Sequence, residues 1–530
     1  MAELLIAAPE DFVPALAPFR DFKTSTGIAA ELISLEAICS AFAGRDPAEK
    51  VKRCLEHWVR RTGTKYALLV GDNSRFPVRY TKHESKDPDI WNISYGPADL
   101  YYADLFRTDG SFDDWDRNGN GYFGELRGDW TGGTLNVDEV DLRPDIAVGR
   151  VPAHSPEEVQ RYVDKAISYE SGLPQPWAKE ALLIATTSWV ESACTVTDTI
   201  AAQYLQGYRV HRLYSSGNSS GVSTPPTPSE ISRYFNQGVG LVCYMGHGSK
   251  NGWAETYDGD LLSLHDLALL NNDGRLPVVV SIACDTSWFA RQPPYDDYVD
   301  VNGVSHTGTI HAGTFSAPPP IPACLQPSPE VDTFGVDILV ERGSGAIAHL
   351  GCITGAQPYA MDLGKYFFEG VSQRLTTLGD LWKHMVTRYY ETHVPPLIVD
   401  PPDWGKVADF HQPWKFFLLG DPSLRLWGLG KPGSILQIQG RLSFLRVHEA
   451  GTRYGPHDDE IDGEVIVGFQ NAPGRGFGFQ LRPDGGEESH RGMLGLLRRA
   501  FTAGNTVQID FVRTGFLNGR IMRVRILPEA

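Results

Sequence analysis

Two short stretches each carry a reactive side chain out of an apolar run: Tyr244-Met245-Gly246-His247-Gly248-Ser249 and Val280-Ser281-Ile282-Ala283-Cys284-Asp285. A thiol becomes a strong nucleophile when a nearby imidazole takes its proton, and the same imidazole can protonate a leaving amine. If the two runs are neighbouring strands of a parallel sheet, Cys284 and His247 leave it side by side. The glycines flanking His247 let a substrate backbone come close, and their N–H groups can donate to an oxyanion. A histidine satisfied in a turn and a thiol packed in a strand would give the same letters.

A second stretch, Asp114-Trp115-Asp116-Arg117-Asn118-Gly119-Asn120-Gly121-Tyr122-Phe123-Gly124-Glu125, follows the template of a calcium loop. Oxygen ligands alternate, a glycine stands sixth and a carboxylate twelfth. Asp114, Asp116 and Asn118 would bind Ca2+ through side chains, Asn120 through its carbonyl, Tyr122 through water and Glu125 with both oxygens. Without a cation three carboxylates this close repel one another. Flanking helices are not evident, so the expected calcium is structural; a polar Asn-Gly turn without an ion is the plain alternative.

The elements that must hold these residues alternate between strand and helix. Leu4 to Ala8, Ala30 to Leu35, Tyr66 to Val70, Ile146 to Val148 and Ala181 to Thr186 read as strands. Between them, Glu10 to Asp21, Ala48 to Arg61, Pro156 to Ser171 and Thr197 to Gln206 read as amphipathic helices. Gly240 to Met245, Pro277 to Ala283 and Gly345 to Leu350 are short apolar runs ending in small or polar residues, as central parallel strands do. The segment 292–330, rich in Pro, Gly, Ser and Thr, follows Cys284 as a surface excursion, a lid or a processing segment. After Gly433 five strand-like runs and one helix around Gly492 to Thr502 indicate a separate β-rich barrel or sandwich.

Length and charge bound the partners. A chain of 530 residues exceeds one growing core. The expected division is an N-terminal α/β subdomain (1–170), a catalytic subdomain (171–430) and a β-rich accessory domain (434–530). A net charge of -17 argues against nucleic acid as the partner of the catalytic region. From Gly433 onward 12 Arg face 11 Asp and Glu, so the acidity belongs to the first part. No stretch is long and apolar enough to span a membrane. Seven scattered cysteines do not make a disulfide framework, and a cytoplasmic location is the expectation.

Four stretches, in order, resemble the gingipain-type cysteine peptidases of the caspase-like superfamily: Tyr66 to Asp72; Pro144 to Pro152; Gly246-His247-Gly248 with Ala283-Cys284; and Leu418 to Leu424. The resemblance implies a caspase-like parallel-sheet sandwich with Cys284 as nucleophile and His247 as proton donor. It also implies an oxyanion hole from the N–H groups of Gly248 and Cys284. Members of that family are often secreted, and some carry a carboxylate just after the strand matching Ile184-Ala185-Thr186. Here that place falls near Ser188, with Glu191 and Asp198 the nearest acids. Either could orient His247 or receive a basic substrate side chain, which a buried carboxylate favours. The expectation is therefore a cysteine endopeptidase acting on proteins or peptides, with cleavage after basic residues as a further expectation. The alternative is a catalytically silent scaffold whose C-terminal domain recognises a ligand or partner.

Overall fold

Runs of Val, Ile, Leu and Ala put apolar groups on both faces of a strand, which is stable only within a sheet covered on both sides. In the computed structural model ten such runs form one sheet. They are β1 (Leu4–Ala8), β2 (Ala30–Ser34), β3 (Tyr66–Val70), β4 (Ala147–Val151), β5 (Glu180–Ala185), β6 (Arg209–Tyr214), β7 (Leu241–Met245), β8 (Val278–Ile282), β9 (Ala348–Cys352) and β10 (Phe416–Leu419). The structure describes residues 2–87, 90–129, 135–171, 175–215, 224–256, 259–309, 318–330, 332–397, 404–426, 435–455, 459–482, 486–514 and 518–528.

The strand order is β2-β1-β3-β4-β10-β9-β8-β7-β5-β6. Every neighbouring pair is parallel except β9 and β10. The sheet is thus two parallel halves running in opposite directions, and the carboxyl ends of β5 to β9 open on one edge together. Helices cross back between the strands as the amphipathic pattern requires. Pro228–Gln237, between β6 and β7, starts at Thr227, whose Oγ1 accepts the Glu230 N–H at 3.2 Å. Pro47–Thr62 starts at Asp46, whose carboxylate accepts the Glu49 N–H at 2.9 Å, and ends at Gly63 with φ +72°.

Two of the stretches that carry the family resemblance sit at the seam between the halves. Gly149 on β4 lies against the Gly420 carbonyl so closely that a Cβ would collide with it. Gly420 N–H donates to the Arg150 carbonyl at 2.7 Å. The fully buried Arg150 guanidinium pairs with Asp99 and donates to the carbonyls of Gly71 (2.9 Å) and Pro77 (3.1 Å). These residues hold the fold rather than reach a cleft.

Residues up to 424 form one compact unit, apart from a short segment at 175–178 that groups with those from 425 onward. The division expected near residue 170 is therefore crossed by a continuous sheet. The second unit has a six-stranded sheet ordered Ile435–Gly440, Val507–Arg513, Gly519–Ile526, Ala472–Phe479, Val465–Phe469, Leu442–Val447. Its two outer strands are separated in sequence only by Arg441, so the sheet curls to bring its edges near each other. Helix Glu487–Ala503 packs Leu494, Leu497 and Ala500 among Val465, Phe477 and Ile509. Among the described residues no helix is long and apolar enough to cross a membrane.

Segment 292–330, where it is described, is fastened down. Gln326 exchanges hydrogen bonds with the Val299 backbone at 2.8 and 3.1 Å, and Val78 N–H reaches the Cys324 carbonyl at 2.9 Å. Residues 310–317 and 331 lie outside the described residues.

Candidate active site

β7 and β8 are hydrogen-bonded parallel neighbours, with Leu241 opposite Val278 and Met245 opposite Ile282. His247 and Cys284 each stand two residues past those last partners, so both leave the same edge of the sheet. Gly246 N–H still reaches the Ile282 carbonyl at 3.3 Å. At Gly248 a Cβ would lie 2.7 Å from the Cys284 carbonyl oxygen and 2.8 Å from the Ala283 Cβ. The backbones carrying Gly248 and Cys284 are therefore in direct contact, which only glycine permits here.

His247–Ser249 pairs with Gly252–Thr256 as a hairpin over this edge. Tyr244, fully buried, donates from its hydroxyl to the carbonyls of His247 (2.6 Å) and Ala254 (2.9 Å) and so ties both strands down. Burial holds the phenol far above its usual range, so it stays a donor. Its ring stacks on Trp253, whose Nε1 donates to Ser281 Oγ at 2.9 Å on β8.

Cys284 is half-buried. Burial pushes its thiol up, as does Asp285, while the Ala356 N–H and the Lys415 ammonium pull it down. The Ala356 N–H points at the sulfur, 3.2 Å away. Asp285 adopts φ +58° and its N–H donates to the Thr354 carbonyl at 2.9 Å. Burial pushes the Asp285 carboxyl up to about 6 against the opposing effects of Gln292 and Lys415. Behind the segment 354–357 lies a cavity of about 220 Å³ lined by Gln292, Thr354, Gly355, Gln357, His411 and Lys415, among others.

Lys415 and His411 come from helix Trp404–Lys415, which is anchored by a charged clamp. His393 Nδ1 meets Asp409 at 2.8 Å and its Nε2 meets Asp362 at 3.1 Å. Burial opposes the charge, but the hydrogen bonds to Asp362 and Asp409 overcome it and bring the imidazole up to about 9. A histidine raised in the fold stabilises fully below its ordinary value and loses that contribution as pH rises through the folded one. The melting temperature is expected to fall between pH 6.5 and about 9, and His393→Gln should flatten that slope in a pH series of thermal melts.

The two expected substrate acids differ in position. Glu191 is exposed in the turn after β5. Asp198, on helix Ala193–Tyr204, accepts from Arg212 Nε at 2.8 Å and from the Tyr214 hydroxyl at 3.1 Å. Ser188 Oγ donates to the Glu255 carbonyl, which brings the turn after β5 against the hairpin and adds a half-exposed acid that the sequence did not single out. Asp285, Lys415 and the segment 354–357 were also missed. Only Asp285, beside the thiol, carried a local signal.

The loop 114–125 turns through Gly119 at φ +71° in its sixth position. Asp116 accepts from the N–H groups of Asn120 (3.0 Å) and Gly121 (3.1 Å), and the amides of Asn118 (2.9 Å) and Asn120 (2.7 Å) meet Glu125. Asp116, Asn118, Asn120 and Glu125 therefore converge. Asp114 turns to Arg45 and Arg107 instead, while Tyr122 stacks on Tyr95 with Lys82 over its ring. Arg45 also reaches Asp116, and Lys82 reaches Glu125 at 3.0 Å. Among the described residues no group of three or more His, Cys, Asp or Glu is arranged to hold a metal. Asp138, outside the template, accepts from the N–H groups of Arg117 and Glu125, and burial with Glu125 and Asp116 nearby pushes it up to about 6.

With this geometry in view, the comparisons with known proteins agree with one another. Gingipain R2 of Porphyromonas gingivalis is 24% identical over 301 residues, covering 55% of this chain and 33% of its own length. Lys-gingipain of the same organism is 30% identical over 159 residues, 29% of this chain and 9% of its own. The chain thus spans about a third or less of the curated relatives it matches. The crystal structure of the Arg-specific cysteine proteinase gingipain R shares the fold with TM-score 0.52 and 16% identity, covering 88% of this chain and 95% of that one. The profile of Peptidase family C25 matches residues 1–427, and the chain belongs to that family.

Proposed function

We propose that the protein is a cysteine endopeptidase. One observation carries this reading: β7 and β8 in register deliver His247 and Cys284 to one edge, with the Gly248 backbone packed against that of Cys284. Cys284 sulfur attacks the scissile carbonyl carbon, and the oxyanion is received by the N–H groups of Gly248 and Cys284. His247 gives a proton to the leaving amine as the C–N bond breaks, leaving a thioester. Water, deprotonated by the same imidazole, then displaces the thiol and releases the acid. The substrates are proteins or peptides.

A basic residue before the scissile bond is the preferred substrate feature. Supporting it are the Arg and Lys in the relatives' names and the acids Glu191 and Glu255 on adjoining segments at the site's rim. A cleavage profile on a peptide library tests both levels. Cuts after Arg or Lys that Cys284→Ala abolishes support the reading; absence of any thiol-dependent cut overturns it.

Calcium at 114–125 belongs to the same proposal. Burial first, then the nearby charges of Glu125 and Asp116, push Asp138 up to about 6, and Arg45 and Lys82 reach Asp116 and Glu125 from the other side. Asp116, Asn118, Asn120 and Glu125 would hold the ion, which would supply charge compensation and brace the loop. Calcium at about 100 times its Kd is expected to add about 2.7 kcal/mol of stability. Thermal melts with and without chelator check this, and Glu125→Gln should erase the difference.

All seven cysteines are free, which suits a reducing, cytoplasmic setting. For the C-terminal unit we keep a ligand- or partner-binding role, supported by a surface groove that includes Phe479, His490, Met493, Arg520 and Arg523.

A further inference from the structure

Helix Trp404–Lys415 ends in a lysine whose ammonium is almost wholly buried. Its Nζ donates to the Gly355 carbonyl at 2.8 Å and to Gln357 Oε1 at 2.6 Å. Between those two acceptors lies Ala356, whose N–H points at the Cys284 sulfur from 3.2 Å. Gln357 is held in turn by the Gln412 amide, one turn back on the same helix. Among the described residues no carboxylate lies within ion-pair distance of Lys415. A buried cation is costly unless a negative charge forms near it.

We propose that Lys415 is a positioning residue of the peptidase centre: it fixes the segment 355–357 so that Ala356 N–H faces the sulfur, and its charge favours the Cys284 thiolate. The inference rests on Cys284 being the nucleophile, and it adds a cation that neither the strand-end motifs nor the imidazole supplies.

The charged and titratable groups around the pair are few. Acting on the sulfur are Asp285 beside it, Cys352 from β9, Tyr244 from β7 and Lys415, while His247 leaves the same sheet edge two residues past the end of β7. Asp285 and burial disfavour the thiolate, while Lys415 and the Ala356 N–H favour it. Burial lowers the Lys415 ammonium from its ordinary value, while Cys352, Cys284 and Asp285 support its charge, and the imidazoles of His83 and His411 face it. Both imidazoles are held by burial, with Lys415 contributing, well below the ordinary histidine value. They stay neutral at working pH and do not compete as cations, so Lys415 is the charge that acts from this side.

The test reads the thiol directly, without a substrate. The full-length chain is alkylated with iodoacetamide over a pH series, and the Cys284 peptide is quantified by mass spectrometry. Lys415→Met is expected to move the alkylation midpoint up by about one pH unit, equivalent to about tenfold slower labelling below the midpoint. Lys415→Arg should restore most of it. Gln357→Glu is the second variant: a carboxylate beside Nζ keeps the brace and cancels the field, so it too should raise the midpoint. Gln357→Glu decides the question if Lys415→Met does not fold. A Lys415→Met profile that overlays the parent's, or a Gln357→Glu profile that does not move, overturns the proposal. Because labelling is independent of hydrolysis, a shifted midpoint in a chain that cuts no peptide would retain Lys415's role while removing the peptidase reading.

Discussion

Cys284→Ala is expected to lower kcat for peptide hydrolysis by about 10⁴-fold or more, with the fold intact. Removing a nucleophile abolishes the covalent route, and only the slow attack of water in the remaining oxyanion site is left. No other thiol can take over: Cys54, Cys194, Cys243, Cys324 and Cys352 are buried, and half-buried Cys39 follows β2 in the other half of the sheet. Burial pushes the thiols of Cys243 and Cys54 up, the latter to about 12, so both stay protonated. The stability change should be small, because the substitution forfeits one N–H contact to sulfur, worth about 1 kcal/mol. His247→Ala should cost about 10²–10⁴-fold, the usual worth of a positioned proton donor. Fluorogenic peptide kinetics beside thermal melts separate these effects. A Cys284→Ala protein that hydrolyses at the parent rate, or a parent that a thiol-reactive peptide never labels, leaves the silent scaffold as the better account.

The placement of His247 and Cys284 at one sheet edge was legible because both residues follow apolar strands that neighbour each other in the sheet. Local pattern reports strand length and burial, and parallel neighbours with a helical or looped crossover follow from it. Pro156–Ser171 was read to its last residue because its apolar positions, Val159, Tyr162, Val163, Ala166 and Tyr169, repeat at helical spacing. Strand direction across the seam was not legible. Phe416–Leu419 is apolar enough to be a strand, but nothing local states that it inserts between β4 and β9 and reverses the second half. The thiol's support escaped for the same reason: Ala356 lies 72 residues from Cys284, and Lys415 a further 60 beyond Gly355. The composition of the proline-rich segment after Cys284 left a surface excursion, a lid or a processing segment open, because composition records backbone preference only. The hydrogen bonds through Gln326 and Cys324 that fasten it are tertiary. The Arg212 partner of Asp198 was not legible, because it sits on β6, in the next strand rather than the next turn.

Gly248→Ala is expected to lower kcat by about 10²–10³-fold while changing KM little. The added Cβ would meet the Cys284 carbonyl oxygen at 2.7 Å, the Ala283 Cβ at 2.8 Å and the Thr286 Cγ2 at 2.9 Å. None of these can swing aside as the tip of a long side chain would. Ala283 and Thr286 are fully buried, and the carbonyl belongs to the strand exit itself. The hairpin must therefore lift away from β8, and the Gly248 N–H moves off the position where negative charge develops. Tyr244 resists that movement, since its hydroxyl grips both hairpin strands at His247 and Ala254. The strain should thus lower the melting temperature as well, by a few degrees at most in a unit of this size. A peptide aldehyde, whose adduct places an oxyanion in the hole, should lose affinity in parallel with kcat, whereas the matching peptide amide, which forms no adduct, should not. Parallel losses tie the contact between Gly248 and Cys284 to the chemistry. Full kcat in Gly248→Ala would mean that the N–H of residue 248 does not face the developing charge, and the oxyanion site would have to be sought elsewhere on the sheet edge.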